Sequence, residues 1–224
     1  MWANARCAWH HCDVNGEMKP RLRGVFHEWA FFASLGAAAL LLVLAGSARE
    51  AIASAIYVSA LAALFGVSAL YHRVTWSPGV RAWMRRLDHS TIFVFIAGTY
   101  TPFALLAVDG WLSWTVLTVV WAGAAAGMLL SLAWISAPKW LAATVYLALG
   151  WVGVLAAPQF FSGAGVAAAT LVASGGVLYT AGAVAYATKR PNRWPATFGY
   201  HELFHVLVVV AATLQFIAVA LVVV

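Results

Sequence analysis

The sequence predicts an all-α polytopic membrane protein, a seven-transmembrane helix bundle with its N-terminus cytoplasmic and its C-terminus outside. Three observations predict it. Only 9% of the 224 residues are charged and 64% are hydrophobic, with a mean hydropathy of +0.87; soluble domains carry about 25% charged residues. The apolar residues gather in seven runs, about 26–46, 51–72, 89–108, 112–133, 140–157, 166–187 and 201–224, each near the ~20 residues that cross a ~30 Å hydrocarbon core. None of the runs alternates with the two-residue period of a membrane strand, so helices are the spanning element. The expected location is the cell membrane, with membrane lipids as the first partners.

The stretch before the first run, residues 1–24, reads as a polar tail. Both cysteines, Cys7 and Cys12, lie in it, so no disulfide framework supports the fold. Cys7, His10, His11 and Cys12 either bind a metal or belong to an unstructured tail. Met18-Lys19-Pro20-Arg21 reads as an alternative start, so residues 1–17 receive no role. The first apolar run begins near Phe26, and no cleavable signal is expected.

The first helix opens on His27-Glu28, and the second closes on Ser68-Ala69-Leu70-Tyr71-His72. The third begins with Asp88-His89-Ser90 and carries Thr99-Tyr100-Thr101-Pro102, where proline removes a backbone bond and threonine hydroxyls satisfy what it frees. The fourth holds Gly123-Ala124-Ala125-Ala126-Gly127, a small-residue spacing for close helix contact. Packing within the bundle explains it better than dimerisation, though a homo-oligomer stays open. The fifth is the shortest, closed by Pro158, and the sixth has a seam of Gly175, Gly176 and Gly182. The seventh opens on Tyr200-His201-Glu202-Leu203-Phe204-His205. Trp29, Trp76, Trp83, Trp111, Trp140 and Trp194 fall near helix ends or loops, as an interfacial aromatic belt does.

Charge orients the bundle. Seven spans put 12 of the 13 basic residues on one side and leave only Arg49 on the other. The positive-inside rule makes that side cytoplasmic. The net charge of +6 is therefore a loop asymmetry and not a nucleic-acid surface. The same topology brings His27, His72, His89, His201 and His205 into one layer, with Glu28, Asp88 and Glu202.

His201 and His205, four residues apart, share a helix face roughly 6 Å apart along the axis. With His72 they supply three nitrogen ligands, and a catalytic zinc keeps three protein ligands and one open position. Asp88 is the candidate to hold or deprotonate a water there, and Ser68, one turn before His72, reaches the same pocket. The competing reading is that His72 and His205 merely hydrogen-bond across the bundle. His201-Glu202-Leu203-Phe204-His205 also satisfies the H-E-x-x-H pattern of zinc proteases. No second motif supplies such an enzyme's third ligand, although Glu202, roughly 100° around the helix from His201, could geometrically serve at the metal. His27 and His89 read as partners in hydrogen bonds between helices.

These residues resemble a known family. Pro20-Arg21-Leu22-Arg23-Gly24-Val25-Phe26-His27, Ser68 through His72, Leu87-Asp88-His89-Ser90, Ile96 through Phe103, Gly175-Gly176 with Tyr179 and Gly182, and His201 through His205 are similar to the bacterial hemolysin III proteins. That family is the bacterial branch of the progestin and adipoQ receptor family, which includes the adiponectin receptors. The resemblance runs in order from Lys19 to the C-terminus and makes residues 25–224 a hemolysin III-like domain. It implies a seven-helix bundle with zinc near the cytoplasmic face on His72, His201 and His205, and a serine and aspartate matching Ser68 and Asp88. It also implies that Glu202 is a neighbour of the ligands and not a protease base.

Three functions follow as expectations. The first is zinc-dependent hydrolysis of an amide or ester bond in a long-chain acyl lipid, with the chain entering between apolar helices. The alternative is a non-enzymatic cytolytic or membrane-homeostasis protein whose zinc is structural; few polar residues in the outer halves of the helices count against a monomeric channel. A ligand-sensing receptor ranks last, because the tail is short and no signalling domain is attached.

Overall fold

Seven α-helices occupy most of the chain in the computed structural model, which describes residues 19–134 and 136–224. The tail cluster of Cys7, His10, His11 and Cys12 lies outside the described residues. The helices are α1 (Val25–Leu44), α2 (Ala48–Arg73), α3 (Pro78–Leu106), α4 (Gly110–Ala133), α5 (Lys139–Gly150), α6 (Ala157–Thr188) and α7 (Tyr200–Val223). The protein is a multi-pass membrane protein. Six stretches among the described residues are long and apolar enough to cross a bilayer.

Local signals set the ends. Ser47 caps α2 through the Glu50 backbone N–H, and the Glu50 side chain returns to the Ser47 N–H, a reciprocal capping box. Pro78 occupies the first turn of α3, where its missing N–H costs nothing. That start lies well before residue 89, where the apolar run begins, so Arg81, Trp83, Arg85 and Arg86 are helical. Hydropathy marks the bilayer, and a helix continues into the interface until a cap stops it. The threonines of α3 do not take the Gly98 carbonyl that Pro102 frees; each bonds the carbonyl four residues back from itself, Thr99 to Phe95 at 2.8 Å and Thr101 to Ala97 at 2.9 Å.

The fifth expected span differs most. The helix there has 12 residues, roughly 18 Å of rise, well short of a ~30 Å core. A 3₁₀ turn, Val152–Ala156, follows it and leads directly into α6, so the expected fifth and sixth runs lie in one apolar stretch, Trp140–Thr188. The Tyr100 hydroxyl holds this junction, donating to the Gly150 carbonyl at 2.5 Å and accepting from the Gly153 N–H at 2.8 Å. Pro158 does not close the fifth helix; it sits in the first turn of α6, where proline is tolerated. Within α6 the chain breaks helical geometry at Gly165 (φ 80°), so regular helix resumes at residue 166, where the sixth run begins.

Consecutive helices pack as neighbours from α1 to α4, and α6 packs along α7. The expected small-residue seams are intramolecular. A Cβ on Gly123 would stand 2.6 Å from Leu149, and one on Gly127 would clash with the edge of the Phe93 ring. Gly175 faces Gln215 and Ala211, and Gly182 faces Phe204 and Leu207. Gly127→Val should destabilise the bundle by about 1–3 kcal/mol through overpacking, read as an earlier unfolding midpoint in detergent; an unchanged midpoint would contradict this packing. Trp29, Trp83, Trp111, Trp140 and Trp194 are exposed near helix ends or in loops, whereas Trp76 is half-buried with its N–H on the Leu70 carbonyl.

Candidate metal centre

Three helix ends converge at one end of the bundle: the start of α1, the close of α2 and the start of α7. They bring His72, His201 and His205 together, with one ligand nitrogen from each lying within 4.8 Å of the others. The His72 and His201 Nε2 atoms are 3.2 Å apart. Nitrogens on one tetrahedral zinc at 2.0–2.1 Å would lie roughly 3.3 Å apart; the His72–His201 pair already has that spacing, and the trio, which spans up to 4.8 Å, would draw together. The chemistry agrees, because His205 is 2% exposed and its Nδ1 has no hydrogen-bond partner. An orphaned buried nitrogen is costly in an apolar bundle, and a metal ion is one group that would satisfy it. The residues fit a metal ion; their donor set suits zinc among others.

A second layer fixes these rings. His27 stacks on His205 with centroids 3.9 Å apart and planes 12° apart. Its Nδ1 lies 2.8 Å from the Ser68 hydroxyl, one turn before His72. Asp88, buried at the start of the apolar part of α3, places Oδ2 3.9 Å from His72 Nε2 and lies within hydrogen-bond reach of Ser68. Asp88 therefore borders the three histidines without joining them as a fourth close ligand. His89 stays beside Asp88, its Nδ1 2.9 Å from the Arg85 carbonyl and 3.6 Å from Asp88 Oδ2, and its Nε2 is 3.4 Å from the Tyr186 hydroxyl. Because the carbonyl only accepts, Nδ1 carries the proton and Nε2 accepts from the tyrosine.

Glu202 is fully buried and pairs with Arg23, while its other oxygen accepts from the Gly199 N–H at 2.7 Å. Both carboxylate oxygens are thus committed to the mouth of α7, away from a role as free general base. Gly24, next to Arg23, has φ +81°, and a Cβ there would stand 2.6 Å from the His72 Cβ. The expected hydrogen bond of His27 between helices is present, with Ser68 as the partner. Arg23 and Gly24 were missed by sequence reasoning as parts of the site, although both lie in the family-like Pro20–His27 run.

A cavity of about 280 Å³ runs from this end into the bundle. Asp88, Ser68 and His205 line its polar end, and Ile92, Phe103 and Phe160 are among its apolar walls.

Comparison with known proteins gives the family. The family model described as "Haemolysin-III related" matches residues 16–216. The "Hemolysin-3 homolog" of Bacillus subtilis (strain 168) is 29% identical over 198 residues, covering 87% of this chain and 90% of that protein. "Hemolysin-3" of Bacillus cereus is 28% identical over 174 residues, 78% of this chain and 76% of the relative. The human "Monocyte to macrophage differentiation factor" is 26% identical over 219 residues, 94% and 89% of the two chains.

Proposed function

We propose, from the premise that the chain belongs to the Haemolysin-III related family, that it is a metal-binding membrane-active protein whose zinc is held structurally by His72, His201 and His205. The observation that carries this reading is the convergence of three imidazoles from two helices, packed so that only His201 is half-exposed. Zinc bound there would cross-link α2 to α7. The names of the Bacillus relatives, Hemolysin-3 and its homolog, support the cytolytic or membrane-homeostasis class. In this reading the chain makes seven passes: α5 with its 3₁₀ turn is the fifth, and the part of α6 after Gly165 is the sixth. The basic loops and the metal centre face the cytoplasm, residues 25–224 form the membrane domain, and residues 20–24 belong with it as a strap.

The cavity favours a second reading, hydrolysis of an amide or ester bond in a long-chain lipid. Zinc on three imidazoles supplies Lewis acidity toward a carbonyl. Asp88 would hold or accept a proton beside His72, Ser68 would orient that carboxylate, and the apolar walls would take the acyl chain.

One pair of assays separates the readings. Purified full-length protein should release dye from liposomes, and His72→Ala should keep that release within a few-fold at a temperature where it is folded. Release no greater than from empty vesicles would defeat the first reading. Hydrolysis predicts that zinc-loaded Asp88→Asn retains its metal and loses at least about 100-fold in turnover of an amide lipid; equal turnover would defeat the second.

A further inference from the structure

Nothing in the ligand set itself fixes how α7 is rotated about its axis. A turn by one residue, about 100°, would carry His201 and His205 off His72. The α6–α7 packing and the His27–His205 stack oppose such a turn, and at the level of the ligands a segment that supplies no ligand opposes it as well. Residues 21–24 run beside the α6–α7 connection, with the Arg21 N–H donating to the Ala196 carbonyl at 3.1 Å and the Leu22 N–H to Thr197 at 3.3 Å. Phe26 meets Phe198 edge-on, with centroids 6.1 Å apart. Arg23 then reaches the fully buried Glu202, the residue between the two ligand positions of α7, while Gly24 lies directly against His72 on α2. This short strap touches both ligand-bearing helices at the level of the ligands. Glu202 also closes the first turn of α7 through the Gly199 N–H, so the charge that Arg23 grips is rigidly tied to the helix.

We infer that Arg23 is a positioning residue of the metal centre, its ion pair with Glu202 setting the rotation of α7 at which His201 and His205 meet His72. A buried carboxylate with its cation removed is strongly unfavourable, so α7 turns or shifts until Glu202 finds water or another donor. The histidines move with it. Arg23 is only 23% exposed and contributes through Nε, which makes the pairing directional as well as electrostatic. The inference rests on the reading that these histidines bind zinc.

Zinc affinity of the full chain in detergent, measured by competition with a chelator, tests it, with helical content and elution volume monitored alongside. Arg23→Met should weaken zinc binding about 10–100-fold, the range for partners that orient ligands, with helicity retained. Arg23→Lys, which keeps the charge, should recover at least half of that loss on a logarithmic scale. Should Arg23→Met fail to fold, Arg23→Gln, which removes the cation but keeps a polar side chain, also leaves the Glu202 carboxylate without its charge partner and should show the same weakening. Affinity within twofold of wild type in either folded variant overturns the assignment, as does a lysine variant as weak as the methionine one. Wild-type protein that binds no zinc defeats the metal reading itself and is told apart by the absence of a reference affinity.

Discussion

Chelating zinc from the wild-type protein should lower its resistance to unfolding by about 4 kcal/mol when free zinc had stood near 1,000 times its dissociation constant, and His205→Ala should show no such response. Of the three histidines, His205 has the most to lose. It is buried between His27, stacked at 3.9 Å, and His72, whose ring centroid is 5.0 Å away. Its Nδ1 lacks a hydrogen-bond partner, so bundle packing alone leaves that nitrogen unsatisfied. Removing the imidazole takes away one of three donors and opens a cavity beneath His27, which adds its own cost. The measurement is denaturant unfolding in mild detergent with and without zinc and chelator. An equal zinc response in wild type and His205→Ala would contradict the assignment of this nitrogen cluster.

Gly24→Val should be nearly as damaging without touching a ligand. Gly24 has φ +81°, a conformation that a β-branched residue adopts only with strain, worth about 1–3 kcal/mol. Space compounds the strain, since the first carbon of any side chain would stand 2.6 Å from the His72 Cβ and 3.3 Å from Arg73. Relief must come by moving either the strap or the ligand-bearing end of α2. The expected result is an earlier unfolding midpoint and at least about tenfold weaker zinc binding. Normal zinc affinity in a folded Gly24→Val protein would show that the strap and His72 move independently.

Much of this site is legible in the sequence because two simple regularities point to it. Read as seven spans, helices of bilayer length set the depth of each polar residue and gather the basic loops on one side, so His72 and Asp88 are expected at the depth of His201 and His205 before any contact is known. The helical repeat alone places His201 and His205 on one face. The parts that are not legible depend on tertiary contacts. Arg23 and Glu202 are 179 positions apart, and neither residue type announces a partner. The shortness of α5 and its continuity with α6 were not legible, because hydropathy continues through the 140–188 region. Tyr100, Gly153 and Gly165 determine where helix stops, and the apolar run does not register them. Pro158 was read as a terminator when it can equally begin a helix.

The metal centre is tested most directly by anomalous X-ray diffraction at the zinc edge from crystals of the full chain. The account predicts one strong anomalous peak at bonding distance from His72, His201 and His205, with Asp88 beside it. No peak there, or a peak held by other residues, would contradict it.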